Sequence, residues 1–486
     1  MSKKWQKKRV LYFIFLIFLF FSQIFSQEDF RKFPPSPEPF RELKLPKEKK
    51  YKLANGLNIS FFYRRNTPII SLCLLISAGE IYSPKDLPGL ATITARLLDN
   101  GTDFISSERL KEEIEYIGGR FSVKTEADYS IVYFSFLEEY INEALDILKK
   151  IVVEPSFPQR EVVKEMRELF FELKKRKSNA NFLGRERLFK VLFPENHPYH
   201  NFFPKTDSLR KINRKKILEF YKTYYRPNNS YLIIIGDLNF RELIRKVSHY
   251  LNVWESRKIP KILFPPVDTH KEEIIYFVDS PSIQRPFICL GNLFFLRNRM
   301  DYFPLLVLNQ ILGGTTTSRL FMNLRETKEI AFSARSYLEF FKNCGVYILE
   351  AEVKPEAVKE SIEECISELK KIANSRIPLL ELEQAKYYLI GNFPIQLNKE
   401  NGLMDYLIKR FIVGLREQNW NRYQHNIMSV DHEMVSLISK RYFASHPAIV
   451  VVGNRKKILE PLLDFEIIEV YDIEGNLKYK IEKGIK

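Results

Sequence analysis

Few side chains in this sequence are of the kinds that do chemistry, and their spacing limits which chemistry is open. The 486 residues hold seven histidines and four cysteines. His197 and His200, in the segment NHPYH, come closest to metal-ligand spacing, but an H-x-x-H pair with no further donor is a weak signal. His249, His270, His425, His432 and His446 stand alone and read as surface or packing residues. Cys73 and Cys289 sit in apolar, strand-like runs, where buried thiols are expected. Cys344 and Cys365 leave one bridge open, and the spacing fits neither a disulfide framework nor a C-x-x-C metal knuckle. The richest acidic pattern is EVVKEMRELFFELKKR, residues 161–176. There Glu165 and Glu172 lie two helical turns apart on one face, and Glu161 and Glu168 widen it. On these residues alone, that face reads as a solvated helix surface.

The elements that would position these residues follow a pattern that occurs twice. Residues 58–63 and 69–77 alternate like strands, and helical spacing follows over 88–98 and 107–117. Strands near 121–124 and 131–136, a helix over 141–153 and a long amphipathic helix over 159–177 come next. After an irregular stretch, a helix over 214–224 leads to a strand at 231–236 that ends in Gly-Asp. The second half replays this order with strands at 273–278 and 287–296, a helix over 302–312 and helical spacing over 319–327. Strands at 333–338 and 345–353, helices over 356–373, 380–392 and 430–442, and a strand at 448–453 complete it. A repeat of this period predicts an α+β protein of two homologous α/β halves, mixed sheets packed with helices, each about 200 residues long. The boundaries expected are a first domain over 48–254, a linker over 255–266 and a second domain over 267–475.

The start of the chain is different. Lys3, Lys4, Lys7, Lys8 and Arg9 precede an apolar run from Leu11 to Phe21, and Ser26 closes the segment. Residues 1–26 therefore read as a secretory signal or an uncleaved N-terminal anchor, and either one predicts export of the rest. Residues 27–47 are rich in proline and charge and read as an extended arm. The formal charge is +16, and the leader supplies five of those charges and no acid, which leaves +11. The excess is spread over lysine-rich helices instead of being gathered in one arm. It favours acidic surfaces or acidic peptides, and export removes nucleic acid as a partner.

The segment PGLATITARLLDNGT, residues 88–102, is similar to the motif of the pitrilysin/insulinase zinc metallopeptidases, the family that includes mitochondrial processing peptidase. Active members read G-L-A-H-x-x-E-H-x-x-x-x-G-T there. Two histidines one turn apart share a zinc, and the glutamate activates the metal-bound water. Here the frame stands as Gly89, Leu90, Ala91, Gly101 and Thr102, but the three chemical positions hold Thr92, Ala95 and Arg96. A threonine is a poor zinc ligand, an alanine is no base and an arginine does not lose its proton. Leu90, Ile93 and Leu97 would face the core, while Thr92, Ala95, Arg96 and Asp99 share the neighbouring stripe.

The resemblance implies that Glu172 stands where the third zinc ligand would be, seven residues after Glu165. It also predicts that Arg96 pairs with one of these acids, so that a guanidinium takes the place of the cation. The segment LGGTTTSRLFMNLRETKEIAFS, residues 312–333, is similar to the family's glycine-rich loop and the helix after it. By that resemblance Gly313 and Gly314 form a flexible loop, and Arg325 matches an arginine that helps hold substrate. Phe332 stands where a tyrosine belongs, so the phenolic hydroxyl is missing. The segments ISAG (76–79), HPY (197–199) and YYRPNNSYLIIIGDL (224–238) fall in the family's order.

The resemblance implies a clam-shell of two peptidase-like halves with a degenerate zinc site. The function it implies is that of a non-catalytic, exported (periplasmic or membrane-anchored) subunit. Such a subunit would help an active zinc-binding partner form a chamber that degrades peptides. No cofactor is expected in this chain, and zinc is expected only in the partner. A stand-alone structural or peptide-binding protein of the same fold is the alternative. An active metalloendopeptidase with a relocated site would need ligands that the sequence does not supply.

Overall fold

The segment Ile69–Ile76 is apolar toward both sides: Ile70, Leu72, Leu74 and Ile76 alternate with Cys73 and Leu75, and all six are buried. A strand of this kind needs a layer on each face. The computed structural model describes residues 43–270, 272–295 and 301–483. The expected leader, residues 1–26, and most of the expected arm, residues 27–42, lie outside them. Among the described residues no helix is long and apolar enough to cross a membrane.

The first sheet contains β1 (Glu48–Lys52), β2 (Asn58–Tyr63), β3 (Ile69–Ile76), β4 (Arg120–Thr125), β5 (Ser130–Leu137) and β6 (Ser230–Gly236), in the order β1-β2-β6-β3-β5-β4. β2 and β6 run parallel, and the other neighbours run antiparallel. The second sheet contains β7 (Ile274–Asp279), β8 (Phe287–Phe294), β9 (Ala331–Phe340), β10 (Gly345–Val353), β11 (Ala448–Gly453), β12 (Ile467–Tyr471) and β13 (Leu477–Glu482). Its order is β13-β12-β7-β11-β8-β10-β9. The run β7-β11-β8-β10-β9 repeats β2-β6-β3-β5-β4, including the parallel first pair. The fold is α+β, two mixed-sheet halves packed with helices. The second half runs past residue 475, because β13 adds an edge strand.

One face of the first sheet is covered by its own half. Helices Leu90–Arg96, Ser107–Tyr116, Ile141–Val153, Gln159–Arg176, Arg214–Tyr224 and Phe240–Leu251 share a core with Ile59, Leu72, Leu74, Phe134, Leu232 and Ile234. The other face is covered by helix Gly402–Val413, from the second half. Its Met404, Leu407 and Ile408 pack on Phe62, Cys73, Leu75, Ile131, Ile233 and Ile235. The exchange is reciprocal. Helix Ala180–Leu192, in the stretch read as irregular, sets Leu183, Leu188, Phe189 and Leu192 against Val278, Phe287, Cys289, Val346, Ile348 and Val450 of the second sheet. The sequence boundary near 255–266 therefore separates the sheets but not the helices that cover them.

Each exchanged helix brings an arginine to the other half. Arg410 Nη2 lies 2.6 Å from Glu48 Oε2, and Arg185 pairs with Glu339. Gly291 of β8 allows close approach, since a Cβ there would lie 2.6 Å from the Tyr347 carbonyl and 3.0 Å from Leu188 Cδ2. The four cysteines are buried and free, so the Cys344–Cys365 bridge left open by the sequence is not formed.

Because each half's core includes the other half's helix, Leu188→Ala and Leu407→Ala should each cost about 2–5 kcal/mol. In denaturant unfolding followed by tryptophan fluorescence and circular dichroism, each should shift one shared transition. Two separated transitions would contradict the exchange.

Candidate functional site

The helix Leu90–Arg96 starts at Gly89, whose φ of +106° is open to glycine and strained for other residues. A Cβ there would also crowd Leu209 Cδ2 at 3.1 Å and Pro204 Cβ at 3.3 Å. Leu90, Ile93 and Leu97 are buried, as their spacing predicted. The stripe beside them departs from expectation at one position, because Ala95 is fully enclosed.

The two remaining motif positions are each tied to a carboxylate. Thr92 is held by Glu80, a buried residue that the sequence reading passed over although it directly follows the ISAG segment. One Glu80 oxygen accepts from the Thr92 N–H at 2.7 Å and from the Thr92 hydroxyl. The other accepts from the Gly89 N–H and the Ser83 hydroxyl, both at 3.0 Å. Glu80 thus satisfies N–H groups that the start of a helix leaves without partners. Burial pushes its pKa up, and the four donors oppose that shift.

Arg96 forms a bidentate pair with Glu172, Nη1 to Oε1 at 2.9 Å and Nη2 to Oε2 at 2.7 Å. Of the two acids proposed as its partner, Glu172 is the one bound. The hydrogen bond from Arg96, more than its charge, holds the Glu172 carboxyl below its usual range. Arg176 stands 3.8 Å from the same carboxylate. Glu165 is pushed up, first by burial and then by repulsion from Glu168, and burial likewise raises Asp99. Glu161, expected on the solvated face, is instead buried at the start of the helix.

This donor set does not fit a zinc ion. Thr92 donates its proton to Glu80, Arg96 brings a positive charge where the cation would lie, and Ala95 has no donor atom. Among the described residues no group of three or more His, Cys, Asp or Glu side chains is placed to hold a metal. The rings of NHPYH are engaged locally. His197 is buried against Phe193, its Nδ1 accepts from the Tyr199 N–H at 3.2 Å, and burial lowers its pKa to about 4. His200 Nδ1 bonds the Phe193 carbonyl at 2.6 Å.

The glycine-rich segment also differs from expectation. Gly313 ends helix Tyr302–Gly313, and a Cβ there would lie 2.3 Å from the Ser336 nitrogen of β9. At Gly314 a Cβ would lie 2.6 Å from Gln310 Oε1. These glycines serve close packing, not a flexible loop. Arg325 lies in the π-helical turn Met322–Thr327, half exposed, 3.7 Å from Glu326 and over the Phe321 ring. Phe332 is partly exposed beneath the Arg285 guanidinium, 4.3 Å from its ring centre. None of these partners belongs to helix Leu90–Arg96.

Residues 62–197 match the family model described as insulinase, peptidase family M16, and residues 211–389 match the one described as peptidase M16 inactive domain. The chain belongs to the insulinase family, M16. Within M16 it is similar to the uncharacterized zinc protease YmxG of Bacillus subtilis, with 22% identity over 83% of this chain and 98% of that protein. It is also similar to the non-peptidase homolog YmxG of Helicobacter pylori, with 23% identity over 83% of this chain and 94% of that protein. A solved structure described as a protease from Helicobacter pylori superposes with a TM-score of 0.76 and 20% identity, over 84% of this chain and 100% of that one. At this identity the likeness speaks to the fold. The motif residues speak for themselves.

Because pairing lowers the folded-state pKa of Glu172, its contribution to stability is present above the unfolded carboxylate value of about 4.3 and fades as pH falls through the folded value. Glu172 is 43% exposed, so screening holds that contribution to about 1 kcal/mol or less. Glu172→Gln should therefore be less stable than wild type at pH 7, with the gap closing below about pH 4 in urea unfolding at a series of pH values. A gap that does not change with pH would contradict the pairing.

Proposed function

We propose that this chain is an exported, non-catalytic subunit that pairs with a zinc-bearing chain of family M16 and helps enclose the chamber where peptides are cut. The observation that carries the reading is the motif helix, where Thr92 is committed to Glu80 and Arg96 to Glu172. The frame of the helix is kept and its chemistry is spent on internal bonds. Similarity to a protein named a non-peptidase homologue supports this. Similarity to one named a zinc protease, at 22% identity, carries the fold and not the ligands.

Export rests on the basic start and apolar run of residues 1–26. In this reading the partner supplies the zinc and the general base, and this chain supplies half of the chamber wall. Arg325, half exposed and held by weak local contacts, is free to turn its guanidinium toward a peptide or a partner. Phe332 contributes packing only.

The test is cleavage of a quenched peptide by the purified chain, by an M16 chain with an intact H-x-x-E-H, and by the two together. The expected result is no cleavage by this chain alone and at least tenfold faster cleavage by the pair than by the partner alone. Arg325→Ala should lower the paired rate without dissociating the complex on size exclusion. Failure of the two chains to associate, with unchanged cleavage, would favour a stand-alone binding protein.

A further inference from the structure

Helix Gly402–Val413 lies on the first sheet, and the chain leaves it at Gly414. The φ of +70° at Gly414 turns the backbone away, with its N–H donating to the Arg410 carbonyl at 2.9 Å. The helix end, the turn after it and strands β1, β2 and β6 surround a cavity of about 630 Å³. That volume falls within the range of about 300–1,000 Å³ usual for small-ligand sites. Phe62 and Ile233 of the sheet, with Leu407, Phe411 and Leu415 of the second half, give it apolar walls. The Tyr231 ring packs on Phe411 with ring centres 4.7 Å apart.

The polar groups converge at one end. Glu48 Oε1 accepts from the Ser60 hydroxyl, and from the Tyr231 hydroxyl at 3.3 Å. Its Oε2 accepts from Arg410 Nη2 at 2.6 Å and lies 3.2 Å from Lys50 Nζ. Burial opposes the charge on Glu48, yet Ser60, Arg410 and Lys50 together hold its carboxyl below the usual range. Glu48 is thus a fully engaged carboxylate and has nothing more to offer Arg410. The Arg410 side chain is only 12% exposed. Among the described residues Glu48 is its one acceptor, so Nε and Nη1 have none, and neither atom is sealed from solvent. A guanidinium this deep ordinarily has its remaining donors met, and the cavity that Arg410 lines is the space where an acceptor fits. The charged side chains around that space are Lys50, Arg410 and Arg416 against Glu48 and Glu417, three cations to two carboxylates.

We propose that this cavity binds an apolar monocarboxylate, with the carboxylate on the free donors of Arg410 and the apolar body against Phe62, Phe411 and Leu415. A planar guanidinium matches a carboxylate in shape, and a single negative charge matches the excess of one cation. The same chemistry would serve the C-terminus of a peptide that ends in an apolar residue, or a free apolar acid. The site does not depend on the pairing with a second chain.

The full chain is titrated by isothermal calorimetry with N-acetyl-Leu-Phe, with its C-terminal amide and with 3-phenylpropanoate, at constant ionic strength. The expected result is saturable binding of an acid at one site per chain, weakened at least tenfold in the amide. Arg410→Lys keeps a charge for Glu48 but loses the fork, and should weaken the acid at least tenfold. Lys246→Gln, outside the cavity, should leave binding unchanged. Tighter binding of the dipeptide would assign the site to peptide ends, and tighter binding of 3-phenylpropanoate to a free acid. Absence of saturable binding of either acid, or an amide that binds wild type within twofold of its acid, would overturn the proposal, whether or not Arg410→Lys folds. So would an Arg410→Lys chain with the wild-type melting temperature that binds the acid within twofold of wild type.

Discussion

Both sheets are apolar on two faces, and each is covered on one of them by a helix from the other half. This constraint governs the rest of the molecule. Pulling the halves apart would strip Leu407 and Ile408 from the first sheet and Leu188 and Phe189 from the second, exposing side chains worth about 1.5–3 kcal/mol each. It would also break the buried Arg410–Glu48 pair and leave its charges uncompensated. A third tie joins the hairpin turns of the two halves. Asp128, beside β5, accepts from the Tyr199 hydroxyl at 2.7 Å and from the N–H of Lys342, between β9 and β10, at 3.1 Å. The motif helix and the glycine-rich turn are therefore held by one cooperative unit.

Within that frame, the motif positions have been turned from chemistry to structure. A zinc site of this kind sets two neutral imidazoles and a carboxylate around a cation, and without the metal that carboxylate would lack its positive partner. Here a guanidinium supplies the positive charge against Glu172, and a threonine hydroxyl satisfies the carboxylate that caps the helix. Glu165 and Asp99, which form no ion pair among the described residues, have pKa values raised by burial. The helix is held in place by Gly89 and by its buried apolar stripe, and neither needs a metal.

The parts legible in the sequence were those with a clear period and one buried face. The repeat of strands and helices and the core stripe Leu90, Ile93 and Leu97 could be read from spacing, while the pairing of Arg96 with Glu172 or Glu165 came from the resemblance, and the fold selected Glu172. The exchanged helices could not. Ala180–Leu192 is buried on several sides, its Arg185, Glu186 and Lys190 are ion-paired and its Arg187 donates to the Gly475 carbonyl, so its pattern of apolar and charged residues shows no single stripe. Gly402–Val413 hides its role in the same way, because Arg410 is buried by a partner more than 350 positions away. Glu80 was missed because one acid beside a glycine carries no local signal until the fold brings the start of the motif helix to it. The glycines at 313 and 314 looked like flexibility, but strand 331–340 crowds Gly313 and Gln310 of the preceding helix crowds Gly314.

The claim that the motif helix is structural and holds no metal is tested most directly by the zinc content of the purified chain. The chain would be equilibrated with micromolar zinc, desalted and analysed by atomic emission. The account predicts well below one zinc per chain, unchanged by Glu172→Gln. One tightly held zinc per chain, removed by a chelator together with peptide cleavage by this chain alone, would contradict it.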